Sequence, residues 1–374
     1  MQGSIRIARI LGIPIQVHYT WLIVFFLIAW SLATGYFPRL GPELGMLTLI
    51  TLGVTAAILF FAALLLHELA HSYVAIREGL PVRAITLFVF GGVAQMTREP
   101  RSAGAEFRMA IAGPLASIAI GLFFGVLALV IGLADLPTGP RLLAEYLAFI
   151  NIVVALFNLL PAFPLDGGRV FRAALWYFMG NLLRATQIAS VVGQGFAYLM
   201  MGIGLFRAVG GNAVGGLWML FIGWFLLQAA QTSYQQALVR RVLRGISARD
   251  VMRDQVAVVP ADLTLTEFVH DYLMRSRESE FCVMEDGRLR GLIGLQDVKR
   301  VPREQWDEIR VEQAMTQEQQ CPTVTTSQSA YEALMLLSSE NTAQVVVREG
   351  TRLVGTITRE DLLTYIRNRL ELAA

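Results

Sequence analysis

An apolar run over residues 46–66, long enough to cross a bilayer, ends in His67-Glu68-Leu69-Ala70-His71. Ionisable side chains at membrane depth are costly and mark functional sites. On a helix, His67 and His71 stand four residues apart, so both imidazoles leave one face and can close on a single zinc ion. Glu68 lies beside them, placed to take a proton from bound water. The competing explanation is polar glue between helices, with Glu68 paired to an arginine. It needs three costly residues to fall at zinc spacing by accident.

The chain has 374 residues, 55% hydrophobic and 16% charged, which is too apolar for an ordinary soluble protein and too long for one domain. The long apolar runs stop near residue 232, and from Ser233 onward the composition is of soluble type. Length predicts six spans, at 17–37, 46–70, 110–133, 143–160, 188–209 and 213–230. The expected fold is therefore an α-helical polytopic membrane protein with about six transmembrane helices, followed by a soluble α/β domain. The expected division is a membrane domain at 1–232, a linker at 233–245 and a regulatory domain at 246–370. No cleavable signal peptide is expected, because Arg6 and Arg9 lead into a span without a clear small-residue cleavage site.

Basic residues predict orientation. Arg6, Arg9, Arg77, Arg83, Arg98, Arg101, Arg169, Arg172, Arg184, Arg240, Arg241 and Arg244 all fall on one side of a six-span arrangement. Arg39, Arg141 and Arg207 fall on the other. The first side is then cytoplasmic, which puts both termini and the soluble domain inside the cell, with the plasma membrane as the expected location. A net charge of +2 gives no reason to expect nucleic acid. Cys282 and Cys321 fall in the cytoplasmic part, where thiols stay reduced, and their spacing matches no metal motif. They read as small buried hydrophobes.

Two histidines leave zinc one protein ligand short, since a catalytic site usually takes three. His18 and His270 are poorly placed, which favours a carboxylate. The segment from Asn158 to Arg169, Asn-Leu-Leu-Pro-Ala-Phe-Pro-Leu-Asp-Gly-Gly-Arg, ends the fourth span. Pro161 and Pro164 break the helix before Asp166 and the flexible pair Gly167 and Gly168. An unwound backbone at membrane depth is tolerated where it lines a cavity. The second and fourth spans run in the same direction, so His71 and Asp166 reach a similar depth. An aspartate before two glycines is also a common turn; the depth match favours Asp166 as the third ligand. The glycines at 193, 195, 202 and 204 and the Ala-Gly-Pro at 112–114 are expected to allow close helix packing.

Taken together, His-Glu-Leu-Ala-His at 67–71, Phe-Gly-Gly-Val-Ala at 90–94, Ala-Gly-Pro at 112–114 and the motif at 158–169 resemble the site-2 protease family of intramembrane zinc metalloproteases. The resemblance covers roughly the first 170 residues. It implies zinc held by His67, His71 and Asp166, with Glu68 as catalytic base, and cleavage of a transmembrane helix of another protein. Asn158 becomes a candidate hydrogen-bond donor to the substrate or the tetrahedral intermediate. Residues 84–96 read as extended around Gly91 and Gly92. In the family a similar stretch enters the membrane as a sheet edge, where it can pair with an unwound substrate. An ordinary cytoplasmic hairpin fits the same residues.

The soluble part repeats itself at an offset of 63 to 65 residues. Arg290-Gly-Leu-Ile-Gly-Leu-Gln-Asp297 recurs as Val354-Gly-Thr-Ile-Thr-Arg-Glu-Asp361, and each unit reads as strand, helix, two strands, helix. This resembles a tandem pair of CBS domains, an adenine-nucleotide-sensing module that also forms dimers. Gly355, Thr358 and Asp361 match the family's nucleotide-closing run; the first repeat has Gly291, Gly294 and Asp297, without the hydroxyl. One competent site for ATP, ADP or AMP per pair is the simplest expectation, with a pair that binds nothing and only dimerises as the alternative. The whole reading is an enzyme acting on membrane-anchored substrates by regulated intramembrane proteolysis. It competes with a CBS-regulated transporter and with a non-catalytic membrane scaffold.

Overall fold

The computed structural model describes residues 4–89, 91–96, 99–276, 278–339, 342–350 and 352–372. Phe90 and Arg98, both used above, lie outside them. The chain divides into two compact units, Met1–Gln235 and Gln236–Ala374.

Among the described residues, six helical segments are long and apolar enough to cross a membrane. The first is not a single helix: α1 (Thr20–Ser31) passes through a π-helical turn, Leu32–Tyr36, into α2 (Phe37–Leu40). The others are α3 (Met46–Arg77), α4 (Ala103–Leu133), α5 (Thr138–Asn158), α7 (Leu182–Val209) and α8 (Ala213–Val242). Large apolar side chains such as Phe123 and Leu129 on α4, and Leu205 and Phe206 on α7, point away from the protein. On a soluble domain such surface would drive aggregation; on these helices it faces lipid.

Several boundaries differ from the sequence expectation. The first span starts at Thr20 because residues 13–18, with Ile13, Ile15 and Val17 alternating with Pro14, Gln16 and His18, form strand β2 (Ile13–His18). Period-two alternation with Ile13 and Ile15 buried is a strand signature. The third and fifth spans begin earlier, at Ala103 and Leu182, because polar caps start those helices before the apolar run begins. Ser102 Oγ accepts from the Ala105 N–H at 3.2 Å, and Asn181 Oδ1 accepts from the Arg184 N–H at 3.1 Å. Residues 233–242, assigned above to a linker, continue α8, and the boundary between the two units falls inside that helix.

The first unit also carries a four-stranded sheet ordered β1-β2-β3-β4, from β1 (Ser4–Ile10), β2, β3 (Val82–Phe88) and β4 (Gly91–Met96). The pair β2/β3 is parallel and the others are antiparallel. Ile13, Ile15 and Ile85 bury against Leu69 of α3. That contact fixes the sheet on the turn of α3 that carries the histidines and leaves β4 as an edge strand. An amphipathic helix absent from the sequence expectation, α6 (Asp166–Met179), follows α5; its 14 residues are too few to span a bilayer.

In the second unit the two repeats adopt matching folds. The first runs β5 (Val258–Pro260), α9 (Leu265–Glu267), β6 (Glu280–Glu285), β7 (Arg288–Gly294) and α10 (Leu295–Val298). After α11 (Val311–Ala314) and β8 (Thr316–Gln317), the second runs β9 (Thr323–Thr325), α12 (Ala330–Ser339), β10 (Gln344–Glu349), β11 (Arg352–Thr358) and α13 (Arg359–Leu372). Glu280 pairs with Gly294 as Gln344 pairs with Thr358, and the ladders shift register at Val283 and at Val347, the corresponding position. Cys282 and Cys321 are free thiols buried in one apolar cluster with Leu289, Leu292 and Val346.

Candidate active site

On α3, residues 67 and 71 share a face, and both side chains are buried. That face meets α4 on one side and the start of α6 on the other. His67 Nε2 and His71 Nε2 lie 3.2 Å apart, and Asp166 Oδ2 sits 3.2 Å from the first and 3.0 Å from the second. The structure thus brings together all three residues read from the sequence as metal ligands.

The outer ring nitrogens have their own partners on α4. His71 Nδ1 donates to the Met109 carbonyl at 2.6 Å, so its Nε2 presents a lone pair to the cluster. His67 Nδ1 is 2.9 Å from Ser117 Oγ. Imidazoles held through the far nitrogen in this way are the usual arrangement behind a metal. With Nδ1 protonated, the two Nε2 atoms and the carboxylate oxygen are three acceptors crowded together, which a cation resolves. Zinc bonds of about 2.0–2.1 Å place tetrahedral ligand atoms about 3.3 Å apart, close to the separations found. The donor set fits zinc.

Gly113 makes the room. A β-carbon there would lie 2.6 Å from His67 Nε2 and nearer still to His71 Nε2. Met109, Gly113 and Ser117 follow one another at four-residue spacing along α4, so one stripe supplies a carbonyl, a gap and a hydroxyl to the two rings. Ala-Gly-Pro was read above as packing alone; the signal that could have found its second role is Ser117, a polar residue on the same stripe.

Asp166 opens helix α6 instead of lying in an unwound loop. Gly167 and Gly168 are buried, and a β-carbon on either would collide with the backbone of residues 159–163. They are needed for close approach, and the flexibility expected of them is absent. Gly193 on α7 supports the same turn from the other side, where a β-carbon would meet Phe163. Gly204 likewise packs closely, against Gly216 and Leu220, whereas Gly195 and Gly202 meet nothing within 4 Å. A buried ion pair missed in the sequence, Glu106 of α4 with Arg172 of α6, ties the helix carrying Asp166 to the helix carrying Ser117. The Arg172 guanidinium also stacks on Phe163 at 4.9 Å.

Glu68 points into a cavity of about 320 Å³ lined by His67, His71, Gly91, Gly92, Asn158, Asp166 and Arg169 among others. The β4 edge forms one wall. Gly92 lets it come close, since a β-carbon there would fall 2.5 Å from Glu68 Cγ, and Gly91 has a φ of +123° that favours glycine. Asn158, the last residue of α5, lines the same cavity.

In the second unit, Gly355, Thr358 and Asp361 lie together at the start of α13. Asp361 Oδ2 accepts from the Thr358 N–H and hydroxyl at 2.9 and 2.6 Å, a helix cap, while Oδ1 is ion-paired with Arg253. Gly355 packs on the Arg253 backbone. In the first repeat Asp297 caps the Gly294 N–H at 3.0 Å without a hydroxyl partner at that position.

A membrane-embedded helical core that gathers two histidines and an aspartate beside a glutamate lining the same cavity defines a metallopeptidase class. Comparison with known proteins agrees. The family model for peptidase family M50 matches residues 55–138 and 135–202, and the CBS domain model matches 248–304 and 311–368. A Synechocystis protein named as a zinc metalloprotease is 35% identical over 98% of this chain and 96% of its own length. A Mycobacterium tuberculosis protein named as the zinc metalloprotease Rip3 is 33% identical over 98% of this chain and 93% of its own length. The solved site-2 protease of Methanocaldococcus jannaschii is 31% identical, covers 62% of this chain and 95% of its own, and superposes with a TM-score of 0.44. The chain belongs to peptidase family M50, the site-2 proteases, as a multi-pass membrane zinc metalloprotease with a tandem CBS pair.

Proposed function

We propose that this enzyme hydrolyses a peptide bond within a transmembrane segment of another protein, close to the cytoplasmic face, as a step of regulated intramembrane proteolysis. The observation that carries the reading is the convergence of His67, His71 and Asp166 next to Glu68 and the β4 edge. His67, His71 and Asp166 hold one zinc ion. When bound, zinc supplies Lewis acidity toward the scissile carbonyl and toward water. Glu68 takes a proton from the attacking water and returns it to the leaving amine. The Met109 carbonyl and Ser117 keep the histidines in the required tautomer and orientation. Asn158 donates to the substrate carbonyl, and Gly91 and Gly92 let an unwound substrate strand add to β4, replacing the main-chain bonds it lost on leaving its helix.

The arginine distribution supports a plasma-membrane protein with both termini and the CBS pair, 246–370, in the cytoplasm. That pair binds adenine nucleotide at Gly355, Thr358 and Asp361, associates into a homodimer and biases the protease. Because Asp361 is engaged by Arg253, nucleotide must exchange with that arginine. Titration of ATP, ADP and AMP into the full chain, with no heat and no thermal shift from any, refutes sensing.

The decisive test of the protease reading is Glu68→Gln in the purified full chain. One zinc should be retained and cleavage of membrane-anchored substrate lost; wild-type turnover by the variant, or zinc-free active enzyme, overturns it.

A further inference from the structure

Helix α6 carries two arginines one turn apart, and they have opposite fates. Arg172 is buried and spent on Glu106 and Phe163. Arg169 lines the cavity that holds Glu68, His67, His71, Asn158 and Asp166, and among the described residues its guanidinium makes no hydrogen bond or ion pair. It is nevertheless an electrostatic neighbour of both Glu68 and Asp166. Three residues separate it from Asp166, so the two side chains leave α6 on the same face, with Cβ atoms about 5–6 Å apart. Arg169 is half-buried at the cavity wall, and a permanent cation held there without a hydrogen-bonded partner is free to serve a ligand.

The cavity already contains the acceptors that hydrolysis needs, in the histidine–aspartate cluster and Glu68. What the reaction adds is negative charge on the carbonyl oxygen. Among the described residues, the side-chain donors that line the cavity and are not spent on the protein are the Arg169 guanidinium and the Asn158 amide. We infer that Arg169 is a catalytic residue whose guanidinium, together with Asn158, binds the oxyanion of the tetrahedral intermediate. The inference rests on the proteolytic reading above.

In the step it serves, the water oxygen bonds to the carbonyl carbon and the C=O π pair moves to oxygen, while the water proton goes to Glu68. The Arg169 N–H groups meet the new negative charge as charge-assisted donors. Collapse re-forms the C=O bond and breaks the C–N bond, and the amine leaves with the proton from Glu68. Arg169 itself neither gains nor loses a proton.

The test uses the full chain in detergent, loaded with Co²⁺ and titrated with methylphosphonate, a small tetrahedral oxyanion, with binding read from the visible cobalt spectrum. R169Q should bind Co²⁺ like wild type but methylphosphonate at least about tenfold more weakly, with R169K between them because a lysine keeps the charge and loses the planar fork. In turnover, R169Q should lower kcat by about 10²–10³ and leave KM within threefold, as for other oxyanion donors. Equal methylphosphonate binding in wild type and R169Q, or no binding by cobalt-loaded wild type, overturns the role of Arg169 alone. Wild-type protein that takes up no cobalt or zinc overturns the proteolytic reading instead.

Discussion

Replacing Gly113 with alanine should remove zinc from this protein without unfolding it. The new β-carbon would stand 2.6 Å from His67 Nε2 and closer to His71 Nε2, in the space between the ligand atoms. To restore an ordinary 3.4 Å contact, His67 Nε2 must retreat by about 0.8 Å. Metal sites tolerate changes of roughly 0.2 Å in ligand distance. Retreat is also resisted from behind, by Ser117 at 2.9 Å from His67 and the Met109 carbonyl at 2.6 Å from His71. Disturbing a supporting partner alone costs about 10–100-fold in metal affinity, so displacing two ligands should cost at least about 100-fold, or ~2.7 kcal/mol. Alanine in a helix interior gains about 0.5–1 kcal/mol over glycine, so the metal-free variant should melt no lower than metal-free wild type. The assay is metal content after purification, then competition for zinc against a chromophoric chelator, with helix melting followed on the chelated forms. One equivalent of zinc bound at wild-type affinity would refute the reasoning, because the ligand atoms then cannot converge beside Gly113.

Ser117→Ala leaves the three ligands in place and removes the partner of His67 Nδ1; zinc affinity should fall about 10–100-fold in the same competition assay. Glu106→Gln or Arg172→Met strands a buried charge or its partner and should destabilise the protein by about 3–5 kcal/mol, read as a drop in Tm in detergent. The double change to apolar residues should recover much of that loss. Burial pushes the Cys282 and Cys321 thiols up to about 12 and about 11, so both stay protonated at pH 8. A colourless disulfide reagent should label neither in the folded protein and both after denaturation, and fast labelling of native protein would contradict their burial.

The residues of the candidate site were legible because their chemistry is costly where it stands. His67, Glu68, His71 and Asp166 interrupt apolar sequence, and the proline pair before Asp166 marks a break in the fifth helix that ends at Asn158. The CBS pair was legible through its repeat, since two copies of one hydrophobic pattern must fold alike, and the paired registers of β6/β7 and β10/β11 agree residue for residue. Less visible were elements whose apolar residues serve the protein instead of lipid. Residues 13–18 alternate strictly, yet they abut an apolar span, and Val17 and His18 were absorbed into it. Helix α6 is amphipathic and short, so a search for bilayer-length runs passes over it.

What the sequence determined by itself was the set of groups able to bind a cation and their periodicity: spacing of four on a helix fixes which side two imidazoles face, whatever surrounds them. What only the tertiary structure decided was the company those groups keep. Met109, Gly113 and Ser117 are 38 or more positions from the histidines they serve, and Arg172 is engaged by Glu106 and Phe163 whereas Arg169 lines the cavity. Partners of that kind are set by how helices pack side by side, through close approaches that single glycines allow, and local sequence carries no record of which helix lies opposite.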